Sequence, residues 1–152
     1  MNEILTAQNI YIVSSLLIFI YFIYIISLPE KKENFVITSL KENLAIINPD
    51  FKKLDIRESD SSYTEDKSVI YLCLKNENGE IYPLNTIIYV ALHEIAHYLN
   101  KSDYGHTEKF QEIFNDLLCK ASQKGIYDPS KPHSSFYCGV DIRGISMPSC
   151  RV

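Results

Sequence analysis

The chain has 152 residues, enough for one compact domain and too few for two full ones. With 46% hydrophobic and 22% charged residues, five Gly and six Pro, it falls outside the disordered and collagen-like ranges. A net charge of -4 argues against a protein whose main task is to neutralise a phosphate backbone, so nucleic acid is not the expected partner; four Cys, at 73, 119, 138 and 150 and without any CxxC pair, predict reduced thiols rather than a disulfide scaffold or zinc ribbon.

The average hides an asymmetry. Residues 10–28, IYIVSSLLIFIYFIYIISL, carry no charge and end at Pro29-Glu30, a run long enough to span a bilayer core. A buried soluble helix rarely stays apolar on every face for so many turns, and a cleaved signal peptide would want a basic start and a small-x-small site, neither of which is present. The expected organisation is therefore an uncleaved transmembrane anchor over residues 1–29 followed by one domain over residues 30–152. No Lys or Arg precedes the span whereas Lys31, Lys32 and Lys41 follow it, which predicts a cytoplasmic domain in a single-pass membrane protein. With that topology the glycosylation acceptor Asn100-Lys101-Ser102 should stay unmodified.

In the domain, Ile37, Leu40, Leu44 and Ile47 recur at helical spacing over residues 34–47, and Asn48-Pro49 stops the helix. Residues 51–56 read as a short strand, 57–67 as a polar surface loop, and 69–75 (VIYLCLK) as a strand that turns at Asn78-Gly79 toward Ile81-Tyr82. Residues 85–100 lack Pro and Gly and are apolar on most sides, which marks a central buried helix. Residues 107–124 carry Phe110, Phe114, Leu117 or Leu118 and Ala121 on one stripe, with Gly125 as the stop; beyond it Pro129, Pro132, Gly139, Gly144 and Pro148 predict an irregular tail. The fold class is α+β.

The chemistry lies in the buried helix, where His93-Glu94-Ile95-Ala96-His97 forms HExxH. Imidazoles at i and i+4 project about 40° apart from one face, close enough for both to reach one tetrahedral Zn²⁺, with Glu94 beside the open position. Such a zinc lowers the pKa of its water toward about 7, and a carboxylate there can take the proton and pass it to a leaving amine. The bland alternative is two satisfied core histidines and a solvated Glu. Val90, Ala91, Leu92, Ile95 and Ala96 make that costly, because these polar groups would be buried without metal or partners.

A hydrolytic zinc needs a third protein ligand, and KSDYGHTEKF follows the helix. His106 leads: Gly105 can turn the chain back, Thr107 can cap the next helix and Phe110 can pack beneath the site. Glu108 or Glu112, from the second helix, are the alternatives. The HExxHxxGxxH subclass is rejected, since Asn100 and Asp103 stand where its Gly and His would be.

HEIAH followed by GHTEKF resembles the HExxH and GHxxxF pairing of the SprT-like and WLM-like zinc metallopeptidases, over roughly residues 85–118. The resemblance implies a minimal zincin-like domain, a small antiparallel sheet packed on the HExxH helix and a following helix, with metal ligands His93, His97 and His106 and catalytic base Glu94. Known members include proteases of DNA-crosslinked proteins; this chain differs in its apolar anchor, its acidic balance and its lack of a basic tail. The small anchored format, rich in Ile, Lys and Asn, also resembles metallopeptidase-like proteins of large DNA viruses.

Tyr98, Tyr104 and Tyr137 are candidate oxyanion donors, and the sequence does not choose among them. His133, Cys138 and Cys150 match no zinc spacing; burial accounts for Cys73 and Cys119, and a solvated loop for His133. The expected function is a zinc-dependent peptidase acting on protein or peptide substrates at a membrane. The alternative is a catalytically silent, membrane-anchored interaction protein that retains the fold, which would have no need of Glu94.

Overall fold

The computed structural model describes residues 2–27, 34–133, 136–142 and 150. The chain divides into two units, Met1–Glu33 and Asn34–Val152.

The first unit is helix α1 (Asn2–Ser27). Its segment Asn9–Ile26 is long and apolar enough to cross a membrane, a property that a signal sequence near the N-terminus shares. Every side chain described in it is exposed. Pro29, Lys31 and Lys32, on which the expected end and sidedness of the span rest, lie outside the described residues.

The second unit is α+β. Asn34 caps α2 (Phe35–Ile47) by accepting from the Val36 N–H at 2.9 Å, and the helix buries Ile37, Leu40, Leu44 and Ile47. Asn48 closes it and at once caps a 3₁₀ turn, Pro49–Lys53, whose Phe51 is buried. The strand expected over residues 51–56 is therefore shifted: Pro49 at the start of the 3₁₀ turn holds the chain helical, and strand β1 (Asp55–Glu58) begins later.

Strands β2 (Tyr63–Glu65) and β3 (Val69–Leu72) complete a sheet of order β1-β3-β2. β1 runs parallel to β3, with Ile56 opposite Ile70; β2 runs antiparallel to it, with Thr64 opposite Ile70. This corrects two expectations. The sheet is mixed rather than antiparallel, and the stretch read as a polar loop holds an edge strand. After β3, Lys75 and Ile81 pair across a turn closed by Asn78-Gly79, where Gly79 has φ +79°.

Helix α3 (Leu84–Leu99) packs on β2, β3 and α4 (Glu108–Gln123), and α4 also meets α2. Ten residues of α3 are buried, as expected of a helix apolar on most sides. Gly125, at φ +71°, ends α4 by letting the Ile126 N–H reach back to the Ala121 carbonyl at 2.9 Å. The tail is more ordered than its breakers suggest. The Asn85 side chain clasps Asp128 through both backbone groups, and β4 (Phe136–Tyr137) pairs with β5 (Val140–Asp141) in a tight hairpin.

The expectation of reduced thiols is overturned. Disulfides join Cys73 to Cys138 and Cys119 to Cys150, across sequence separations of 65 and 31 residues. Spacing gave no sign of it because both bridges tie the tail to distant elements, and only the fold brings those sulfurs together.

Candidate metal centre

His93 and His97 lie one turn apart on α3, near its C-terminal end, their ring centroids 4.9 Å apart. After Leu99, the Asn100 N–H bonds back to the Ala96 carbonyl, and the chain turns through Gly105 at φ +80°, a conformation that favours glycine. That turn carries His106 back over the helix. The Thr107 hydroxyl then caps α4 by accepting from the Phe110 N–H, at 3.4 Å, while donating to Asp103 at 3.2 Å. Phe110, almost fully buried, lies beneath all three imidazoles, with centroids 4.9, 4.3 and 4.8 Å from those of His93, His97 and His106.

The three rings converge on one point. His106 Nε2 is 3.0 Å from His93 Nε2 and 3.2 Å from His97 Nε2. Tetrahedral zinc, with Zn–N near 2.0–2.1 Å, separates its ligating nitrogens by about 3.3 Å. The donor set also fits a cation on chemical grounds. A proton on any one of these nitrogens can serve only part of the trio, whereas a metal ion satisfies three lone pairs together. Burial, reinforced by His97 and His106, pushes the His93 pKa down to about 3, and burial together with His106 and Lys67 also lowers that of His97. Both rings are therefore neutral near pH 7, the form that ligates metal.

Glu94 is 5% exposed and turned toward the sheet. The Thr64 hydroxyl, on edge strand β2, lies 2.8 Å from its Oε2 and 2.9 Å from its backbone carbonyl. Burial raises the Glu94 pKa to about 7 against the opposing pull of that hydrogen bond, so the carboxyl is poised between acid and base near neutrality. The three His and Glu94 share a cleft of about 390 Å³ with Ser62, Tyr63, Thr64, Asp66, Lys67, Asp103, Tyr104 and Gly105. Across it, Lys67 Nζ donates to the Asp103 carbonyl at 2.7 Å and stands over the Tyr104 ring, while Lys101 Nζ donates to the Lys67 carbonyl at 2.6 Å.

Of the alternatives for a third ligand, Glu108 and Glu112 are exposed on α4 and do not line the cleft; His106 is the residue brought to the pair. Among the tyrosines, Tyr104 stands on the cleft wall and is 87% exposed, and Tyr98 lies outside it beneath Lys101. Tyr137 is buried, its hydroxyl engaged with the Cys73 carbonyl and Ser62. His133 is not a free loop residue: its Nε2 is 2.9 Å from the Tyr127 hydroxyl and its ring packs on Tyr89. Cys138 and Cys150 are consumed by disulfides. Asn100, the acceptor of the glycosylation motif expected to stay unmodified, is 2% exposed, so the folded domain leaves no room for a glycan there.

Sequence reasoning missed Thr64. Its signal was faint: Tyr-Thr-Glu combines an aromatic and a β-branched residue in the manner of a strand, but the polar residues on both sides masked it.

No protein-family model matches the chain, and no solved structure matches it. Similar proteins include the uncharacterized protein 136R of Invertebrate iridescent virus 6, 43% identical over 89 residues, which are 57% of this chain and 49% of the viral protein. The uncharacterized protein 042R of Invertebrate iridescent virus 3 is 42% identical over 91 residues, covering 59% of this chain and 57% of its own length. The uncharacterized protein R325 of Acanthamoeba polyphaga mimivirus is 34% identical over 119 residues, or 69% of this chain and 57% of that protein. The chain thus spans about half the length of the curated relatives it matches, and what it is demonstrably similar to is a set of viral proteins whose names assign no activity.

Proposed function

We propose that the chain is a zinc-dependent metallopeptidase of zincin-like fold, akin to the SprT-like and WLM-like enzymes. The observation that carries the reading is the convergence of three imidazole Nε2 atoms beside a buried carboxyl of raised pKa. His93, His97 and His106 would hold the metal. When bound, zinc supplies a Lewis acid that makes a water acidic enough to attack at neutral pH and polarises the scissile carbonyl. The protein's own groups do the rest. Glu94 accepts the water's proton at its carboxylate and returns it to the leaving amine, and Thr64 holds that carboxylate in place from the sheet edge. The neutral rings of His93 and His97 would offer their lone pairs to the metal, and Phe110 fixes the planes of all three imidazoles from below.

Helix α1 serves in this reading as a membrane anchor, so the substrates are proteins or peptides near a membrane surface. The basic residues Lys31, Lys32 and Lys41 favour a cytosolic domain, whereas two disulfides favour an oxidising side; we give the greater weight to the disulfides, because they account for all four cysteines.

The test uses the full chain in detergent micelles, with metal analysis and a fluorescent casein assay. One zinc per chain is expected, with sharp loss in His106→Ala. Glu94→Gln should keep the zinc and lose hydrolysis. A parent protein that binds zinc without cleaving casein or any peptide of a library would favour the silent scaffold; one that binds no zinc would end the metallopeptidase reading.

A further inference from the structure

The Cys73–Cys138 disulfide sits on the framework that seats Glu94. Cys73 follows β3 and is buried, whereas Cys138 is half-buried and, with Cys73, lines a second cleft of about 1060 Å³ bounded by Lys75, Tyr82 and Phe136. The cleft is wide enough to admit a small thiol reagent beside the bridge, on the side of the more exposed Cys138. Cys138 has φ +47° and Gly139 φ +81°, so together they form the tight turn between β4 and β5. That backbone is disfavoured for a residue with a side chain. Two ties hold it: the disulfide, and a 2.9 Å hydrogen bond from the Cys138 N–H to the Tyr82 hydroxyl.

The neighbouring Tyr137 transmits this turn to the sheet. Its hydroxyl donates to the Cys73 carbonyl at 2.5 Å, which leaves its oxygen to accept from Ser62 Oγ, 2.9 Å away; Ser62 Oγ in turn accepts from the Cys73 N–H at 2.9 Å. The result is a closed ring of hydrogen bonds joining the end of β3, the tail and the residue just before β2. Two residues beyond Ser62 stands Thr64, whose hydroxyl holds Glu94.

We propose that Cys73–Cys138 is a reducible site for a dithiol partner, and that its reduction loosens edge strand β2 and with it the seat of Glu94. A thiolate of the dithiol attacks Cys138 Sγ, the S–S bond breaks, and Cys73 leaves as a thiolate that takes up a proton. The reductant's second thiol then displaces Cys138, which is also protonated. Two electrons and two protons pass to the protein, and the reductant ends as a disulfide. Through this bridge, a move from an oxidising to a reducing environment changes the state of the site. The effect on β2 stands on the hydrogen-bond ring alone, whereas an effect on hydrolysis rests on the peptidase reading.

The test compares the oxidised full chain in micelles with the same protein treated with dithiothreitol, by mass-spectrometric disulfide mapping and amide hydrogen exchange. Reduction should open Cys73–Cys138 and speed exchange over residues 62–65 at least about tenfold. The response should be absent from the Cys73→Ser/Cys138→Ser protein, already fast, and intact in Cys119→Ser/Cys150→Ser. Should the first double variant fail to fold, Tyr137→Phe keeps the bridge but breaks the ring, and should speed exchange at 62–65 without any reductant. Three results overturn the proposal: a Cys73–Cys138 bridge that resists dithiothreitol, exchange at 62–65 unchanged once it is open, or a response that follows Cys119–Cys150 instead. A reduction-sensitive β2 in a protein that cleaves neither casein nor any peptide of the library would favour the silent scaffold and leave the redox coupling standing.

Discussion

Helices α1 and α3 are both apolar on nearly every face, yet their surroundings differ completely. In α3 the apolar residues Ile87, Ile88, Ala91, Leu92, Ile95 and Ala96 are each at most 1% exposed, enclosed by the sheet and α4. In α1 the large apolar side chains from Ile10 to Ile26 are between 44% and 75% exposed. Burying such side chains is worth about 1.5–3 kcal/mol each; α3 collects this from protein, whereas among the described residues of its unit α1 has no such cover, and under the proposed reading the bilayer supplies it. The polar residues sharpen the contrast. α3 carries His93, Glu94 and His97 within its buried length and gives each a partner, while α1 has no ionisable group between Asn9 and Ile26 except tyrosines.

The largest expected effect breaks the comparison on the α1 side. Arginines in place of Ile18 and Phe22 put two charges in mid-span, each costing about 2.5–3.5 kcal/mol at a helix centre in a bilayer. Carbonate-resistant pelleting with membranes should be lost altogether; unchanged pelleting would mean that α1 is not the anchor.

Next come the polar groups of α3. Glu94→Gln should lower casein hydrolysis by about 10²–10⁴-fold with zinc content preserved, and turnover equal to the parent would remove Glu94 from the mechanism. For the apolar face, Leu92→Ala should cost about 3 kcal/mol in urea unfolding, whereas Ile18→Ala in α1 should leave the same transition in place. Equal effects would mean that the two units share a core.

A smaller effect concerns pH in metal-free protein. The folded pKa of Glu94, about 7, lies above its ordinary value of 4.5, so its contribution to stability is full below pH 4.5 and is lost as pH rises through 7. His93 behaves oppositely: its folded value of about 3 lies below 6.5, so stability present above pH 6.5 is lost as pH falls toward 3. Glu94→Gln should therefore be more stable than the parent at pH 8, by on the order of 2–3 kcal/mol, and nearly equal to it at pH 4.5. A constant difference across that range would contradict the burial of an ionisable Glu94. Smallest of all, Thr64→Val should reduce hydrolysis about tenfold and Thr64→Ser should restore it; an equal loss in both variants would show that the hydroxyl is not what matters.

Much of this was legible along the chain because it is local. The i, i+4 spacing of His93 and His97 puts both rings on one face in any helix, Gly105 and Thr107 announce a turn and a cap, and the uncharged run of α1 needs no tertiary context to be seen. The three α-helices of the second unit could be read within a residue for the same reason, whereas α1 begins well before the apolar run that marked it and the 3₁₀ turn at Pro49–Lys53 displaced a strand whose short alternation was ambiguous.

The sequence by itself determined the helices, the apolar segment and the set of residues able to bind a metal, because hydrophobic periodicity and side-chain chemistry act over a few residues. Tertiary structure alone decided which of His106, Glu108 and Glu112 meets the pair, that the sheet is mixed, that Thr64 reaches Glu94 and that Cys73 meets Cys138. These outcomes depend on strand pairing and loop closure between distant segments, where short polar stretches such as residues 59–68 carry no periodic signal and the competing registers differ only in contacts the finished core provides.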